Sequence, residues 1–176
     1  MKNCIDYSKI AAALDFYQSK GYAYIEVPWI VTHEAMLITS PGGKRFFNTF
    51  AGDLVSSGEQ SFLQLRETLK AGLYCCATPC FRDERPVDSL HRQYFFKVEL
   101  IEVNPKEPID SVLAMIEHAK EFFGEYVKVE VVETDIGKDI FGNGLELGSY
   151  GNRFYEGFNW TYGTGCAEPR LSQAIK

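Results

Sequence analysis

Residues 81–99 read Phe81-Arg82-Asp83-Glu84-Arg85-Pro86-Val87-Asp88-Ser89-Leu90-His91-Arg92-Gln93-Tyr94-Phe95-Phe96-Lys97-Val98-Glu99. A polar loop around Pro86 separates two stretches of strand character. Before it, Tyr74 to Thr78 and Cys80-Phe81 read as a strand interrupted or ended near Pro79. After it, Tyr94 to Val103 is aromatic and β-branched enough to return alongside. The pair predicts a long hairpin. Arg82 and Glu84 are two apart and point to one face, as do Phe95, Lys97 and Glu99 on the returning strand. An arginine bracketed by carboxylates and an aromatic plane suits a polyphosphate and a base, because the guanidinium grips phosphate oxygens bidentately while the ring offers a stacking surface. The same residues also suit a salt-bridged hairpin with solvated charges. The hairpin alone leaves both readings open.

Upstream, Tyr7 to Ser19 carries Ile10, Ala13, Leu14 and Tyr17 on one helical face, and Gly21 is a stop signal. Tyr22 to Val27 is strand-like, and Pro28 ends it or confines it to an edge. Residues 40–45, Ser40-Pro41-Gly42-Gly43-Lys44-Arg45, form a loop, expected to be mobile near a substrate with Lys44 or Arg45 reaching inward; the spacing is not that of a Walker loop. Gln60 to Leu73 fits a helix through Phe62, Leu63, Leu65, Leu69 and Leu73. Downstream, Asp110 or Ser111 caps a predicted helix to about Phe123, with Val112, Met115, Ile116, Ala119 and Phe123 inward. Val127 to Val132 and Leu145 to Ser149 read as strands, and Pro169 suits the first turn of a short last helix. Hairpin-paired strands flanked by helices predict an α+β fold with an antiparallel sheet.

With 176 residues and no repeat or linker, one continuous domain over residues 1–176 is expected. At 45% hydrophobic and 24% charged, the chain is neither collagen-like, coiled-coil nor disordered. A net charge of -6 without a basic block argues against a long phosphate-tracking surface and so against DNA as a partner. No signal-peptide core or spanning apolar run is present, so a soluble, cytoplasmic protein with no membrane partner is expected. Cys75, Cys76 and Cys80 have no second pair at zinc-finger spacing and read as reduced, buried thiols. His33 and His118 are isolated and read as surface or satisfied histidines.

The pattern Phe81-Arg82-Asp83-Glu84, then His91, Phe95 and Glu99, resembles motif 2 of the class II aminoacyl-tRNA synthetases. Two further stretches follow in that family's order. Residues 8–29, through Lys20-Gly21-Tyr22 and Val27-Pro28-Trp29, resemble motif 1, which in the family forms a dimer interface. Residues 160–176, through Gly163-Thr164-Gly165-Cys166-Ala167-Glu168-Pro169-Arg170-Leu171, resemble motif 3, a glycine-rich strand entering a helix near a functional arginine. Motif 2 spans residues 75–103. Ala167 replaces a glycine common in motif 3, at little cost in space. Ser57-Gly58-Glu59-Gln60 is similar to a loop whose carboxylate holds the substrate α-ammonium. Leu145-Glu146-Leu147-Gly148-Ser149 is similar to the seryl, phenylalanyl and pyrrolysyl branches, in which a strand glutamate coordinates magnesium.

The resemblance implies ATP-dependent activation of an amino acid to an aminoacyl-adenylate with release of pyrophosphate. It implies Arg82, Glu84 and Arg170 as catalytic residues; Arg82, His91, Phe95 and Arg170 as ATP-binding; Glu59 for the amino acid; and Glu146 with Glu99 for Mg²⁺. ATP and Mg²⁺ are the expected cofactors and a homodimer the expected assembly. The chain resembles a catalytic core with no anticodon-binding domain. The acyl acceptor could therefore be a tRNA, a carrier protein, another protein or a small molecule, and tRNA binding is expected to be weak. A non-catalytic synthetase paralogue that senses ATP or an amino acid is the alternative.

Overall fold

Alternation along the strand from Tyr94 to Val103 divides the molecule into two faces. A computed structural model describes residues 4–40, 45–88 and 91–175. The elements in chain order are α1 (Tyr7–Ser19), β1 (Ala23–Tyr24), β2 (Ile30–Val31), α2 (His33–Thr39), β3 (Asn48–Thr49), β4 (Gly52–Leu54), α3 (Gly58–Gln64), β5 (Gly72–Phe81) and β6 (Tyr94–Val103). They continue as α4 (Pro108–Gly124), β7 (Val129–Thr134), β8 (Gly137–Gly142), β9 (Leu145–Tyr155), β10 (Phe158–Glu168) and α5 (Arg170–Ala174). Seven strands form one sheet in the order β1-β5-β6-β10-β9-β8-β7, antiparallel throughout except for β1 beside β5. The architecture is the α+β arrangement expected from the sequence. A separate three-stranded sheet, β2-β4-β3, was not expected; its strands of two or three residues are too short to show alternation.

Val98 and Leu100 of β6 face a core that also holds Tyr17 of α1 and Met115, Ala119 and Phe123 of α4. Ile101 and Val103 face the opposite way and pack with Phe62, Leu63 and Trp160. On this second face α3 covers only part of the sheet, so Lys97 and Glu99, sharing the face of Ile101, border open space.

The expected hairpin is present, with Phe81 opposite Tyr94 and Cys76 opposite Glu99. Pro79 does not interrupt it. Phe81 donates its N–H to Val55 O at 2.7 Å, away from β6, and the position two residues earlier points the same way. The N–H that proline lacks would thus leave the β5–β6 ladder, so no ladder bond is lost. The helix expected over residues 60–73 is shorter, α3 ending at Gln64. Leu65 N–H turns to Phe62 O, and the carbonyls of Leu63 and Leu65 are taken by Arg66 Nη1 and Thr68 Oγ1 at 3.1 and 2.8 Å. α4 starts at Pro108, ahead of Asp110, since proline at the first position sacrifices no helical bond. Pro169 precedes α5 as its N-cap. Four of the five cysteines are buried and all are free; burial pushes the Cys75 thiol up to about 11.

β9 runs six residues beyond the expected Ser149, through Gly151, where a Cβ would lie 2.7 Å from Tyr162 Oη. The glycines of β10 likewise answer to packing. A bulge between Thr164 and Cys166 turns the Thr164 and Gly165 carbonyls to two buried phenols, Tyr150 Oη at 2.6 Å and Tyr17 Oη at 3.0 Å. A Cβ on Gly163 would stand 2.4 Å from the Tyr150 ring and 2.5 Å from Met115 Sδ. Gly163→Ala is expected to destabilise the protein by roughly 1–3 kcal/mol, because Tyr150 is anchored and cannot yield. Urea denaturation of the variant beside the parent measures this.

Candidate active site

The uncovered part of the second face carries two adjoining cavities. The first, of about 160 Å³, is lined by Arg82, His91, Phe95, Glu146 and Arg170, together with Lys97 and Ser149. The second, of about 500 Å³, is lined by Glu59, Glu99, Arg153 and Tyr162 and by Ser57 at the start of α3. Arg82, Glu84, Lys97 and Ser149 border both. The hairpin thus supplies the wall between them.

Arg82 follows β5 directly and is tied down by Nε donating to Ser56 O at 3.2 Å. Its guanidinium lies over the Phe95 ring, 4.9 Å from the centroid. Across the first cavity Arg170, the first residue of α5, donates from Nη1 to Glu146 O at 3.3 Å and stands 4.0 Å from Glu146 Oε1. His91 is exposed and held by Asp88, whose oxygens meet its N–H at 2.7 Å and its Nδ1 at 2.9 Å. Five of the expected site residues, Arg82, His91, Phe95, Glu146 and Arg170, therefore surround one space, with Glu84 at its border.

Glu59 and Glu99 are in the second cavity. The capping box of Ser57 and Gln60 starts α3 and presents Glu59 in its first turn. Trp160 Nε1 donates to Glu59 Oε1 at 2.7 Å, and Arg153 Nη1 to Oε2 at 2.8 Å. Burial raises the Glu59 carboxyl above its ordinary range, a shift that the Arg153 charge and the Trp160 hydrogen bond oppose. Glu99, 1% exposed, is held by Lys97 Nζ at 2.9 Å and by Ser57 Oγ at 3.0 Å. It lines the second cavity only, whereas Glu146 lines only the first. Among the described residues no group of three or more His, Cys, Asp and Glu is gathered as a metal site. The loop of residues 41–44, with Lys44, lies outside the described residues; Arg45 lines the second cavity, 3.8 Å from Asp83.

Sequence reasoning missed Arg153, Trp160 and Tyr162 as parts of the site. The signal was alternation: Ser149, Gly151 and Arg153 share a face of β9, and a strand read only to Ser149 conceals it.

This arrangement of sheet and helices recurs in solved structures. Seryl-tRNA synthetase from Pyrococcus horikoshii, complexed with ATP, superimposes with a TM-score of 0.81 at 20% identity over 97% of this chain and 49% of its own. Its fold is that of a class II aminoacyl-tRNA synthetase catalytic core. The cytoplasmic serine-tRNA ligase of Naegleria fowleri, in complex with AMP, is similar with a TM-score of 0.74 at 18% identity, over 93% of this chain and 46% of that one. For PylSc, a pyrrolysyl-tRNA synthetase of Desulfitobacterium hafniense, the TM-score is 0.69 at 21% identity, covering 94% and 66%. The chain thus spans about half the length of the two seryl enzymes. No protein-family model matches the sequence, and no curated protein does. None of the described helices is long and apolar enough to cross a membrane.

The ion pairs of this site bear on the stability of the fold. Lys97→Met would leave the Glu99 carboxylate buried with Ser57 as its remaining partner. We expect a loss of about 3–5 kcal/mol, as for breaking one side of a buried pair, with recovery of part of it in Lys97→Met/Glu99→Gln. Chemical denaturation of the single and double variants checks both.

Proposed function

We propose that the chain activates an amino acid with ATP, forming an aminoacyl-adenylate and releasing pyrophosphate. The observation carrying this reading is the gathering of Arg82, Phe95, His91, Glu146 and Arg170 around one cavity that opens into a second, charged one. In the reaction an oxygen of the substrate carboxylate attacks the α-phosphorus in line, a new P–O bond forms, and the bond to the pyrophosphate oxygen breaks. No protein nucleophile is required; positioning and electrostatic stabilisation supply the rate. Arg82, at the border of both cavities, neutralises charge on the α-phosphate. Arg170 and His91 hold the outer phosphates or the adenine, and Phe95 offers its ring to the base. Glu84 lines the same border as Arg82.

Magnesium fits the oxygen donors of the first cavity: Glu146, 44% exposed in its side chain and only loosely tied to Arg170, with Ser149 lining the same space. The ion would supply charge neutralisation on the phosphates. Glu99, already paired with the Lys97 ammonium, serves better to hold Lys97 and Ser57 than to bind a cation. In the second cavity Glu59 receives the α-ammonium; each carboxylate oxygen spends one lone pair on Trp160 or Arg153 and keeps another. Which molecule accepts the acyl group is a separate matter, and a tRNA is one candidate.

A homodimer forms through the motif 1 region. Tyr22 and Val27 are buried within the chain, but Tyr24, Trp29, Ile30, Leu37 and Phe50 stay exposed on consecutive elements, Phe50 completely. Light scattering at tens of micromolar, roughly the range in which a modest interface is occupied, is expected to give twice the 19.9 kDa chain mass; a monomer there contradicts the assembly.

The activity is tested by ATP–pyrophosphate exchange across the standard amino acids, with one of them expected to support exchange. Arg82→Ala is expected to lower that rate by about a hundredfold or more, as loss of a transition-state donor does, with the melting temperature little changed. Arg82→Lys should fail as well, because an ammonium cannot reproduce the guanidinium fork. Full exchange in the lysine variant overturns the role of Arg82, and ATP binding without exchange for any amino acid favours a sensor.

A further inference from the structure

The second cavity holds a feature that activation of a generic amino acid does not require. Arg153 and Glu59 stand side by side in its wall, Nη1 to Oε2 at 2.8 Å. The Arg153 guanidinium is fixed a second time by the Tyr162 ring, 4.4 Å from its centroid. About a third of the Arg153 side chain is exposed, while the Glu59 side chain is 7% exposed. Guanidinium carries five N–H donors, and the bond to Glu59 uses Nη1. A rigid cation, about two thirds covered and with donors to spare, therefore faces the cavity. Arg153 borders the second cavity alone, whereas Arg82, at the reacting carboxylate, borders both.

A neutral amino acid suits this wall poorly. Its ammonium would meet a carboxylate whose charge Arg153 already balances, and its side chain would cover the guanidinium without replacing the water it displaces. A substrate with a second carboxylate suits it well: ammonium to Glu59, side-chain carboxylate to Arg153, reacting carboxylate toward Arg82. Among the described residues the two other cations of the cavity have acids of their own, Lys97 with Glu99 and Arg45 near Asp83, and the Lys97 side chain is 13% exposed against 32% for Arg153. Resting on the activation reading above, we propose that Arg153 is the specificity-determining residue for an acidic amino acid, with a side-chain carboxylate as the group it recognises.

Binding, rather than turnover, tests this. Isothermal titration calorimetry with the full chain compares L-aspartate with L-asparagine and L-glutamate with L-glutamine. One acid is expected to bind about tenfold or more tightly than its amide, the factor that a charge-assisted hydrogen bond gives over a neutral contact. That preference should vanish in Arg153→Gln and be partly kept in Arg153→Lys. Because Arg153→Gln leaves Glu59 buried with Trp160 as partner, circular dichroism and a thermal melt establish that this variant is folded before its binding is compared, and Arg153→Lys keeps a cation beside Glu59. Equal binding of acid and amide by the parent, no binding of either acid, or a preference that survives loss of the guanidinium overturns the proposal. Pyrophosphate exchange in parallel separates the two levels. Exchange with neutral amino acids alone overturns acidic specificity and leaves activation standing; tight acid binding without exchange does the reverse.

Discussion

Glu59 is the point on which the site depends. It is buried at the start of α3, yet its two oxygens reach two different strands, Trp160 on β10 and Arg153 on β9. A carboxylate removed from water costs several kcal/mol unless it is paired and hydrogen-bonded, so the helix can dock only where both donors meet it. Docking at that place leaves the rest of the sheet uncovered. The depth of the second cavity, its charged wall and the separation of α3 from α5 all follow from where one acid finds its partners.

The opposite face answers to a different requirement. There the sheet packs on α1 and α4 at close range, and β10 pays for its bulge with two tyrosine hydroxyls that take the Thr164 and Gly165 carbonyls. Gly163 and Gly165 permit this approach, since a Cβ at Gly165 would stand 2.7 Å from the Tyr17 ring. Glycines that resemble those of motif 3 thus have a sufficient cause in helix packing on the far side of the strand. Their backbone shapes the site without touching it through side chains, which couples the dry core to the geometry of Thr164 in the first cavity.

Legibility in the sequence followed periodicity. The hairpin, α1 and α4 were readable because ten to seventeen residues of alternation or helical spacing outweigh local noise, and β6 has its expected bounds of Tyr94 and Val103. Elements whose pattern is broken by close packing were not: Gly148 and Gly151 conceal most of β9, and β8 begins and ends in glycine. Pro79 misled because a proline's effect on a strand depends on which side its missing N–H would face, a property of register and not of composition. Within the site, residues borne on long strands or beside the hairpin could be named. Arg153 and Trp160 were harder to name: alternation along β9 marks the face of Arg153, but the role of both is defined by Glu59, about a hundred residues away in the chain.

The uncovered face has dimensions that suit two ligands at once. It runs across β5, β6, β10 and β9, three interstrand spacings or roughly 14 Å, and along each strand side chains on one face recur about every 7 Å. Charged groups placed on such a grid are near enough to neutralise one another and too far apart to collapse into a single cluster. Lys97 with Glu99 uses the spacing along β6, and Arg153 with Glu59 uses the gap between sheet and helix. Each of these two cations thus has a carboxylate beside it, Arg153 keeping donors to spare, while Arg82 at the end of β5 and Arg170 at the start of α5 lie outside the grid's interior. Both stand where a strand has just ended, so the backbone beyond the sheet can aim them at a ligand without disturbing the ladder.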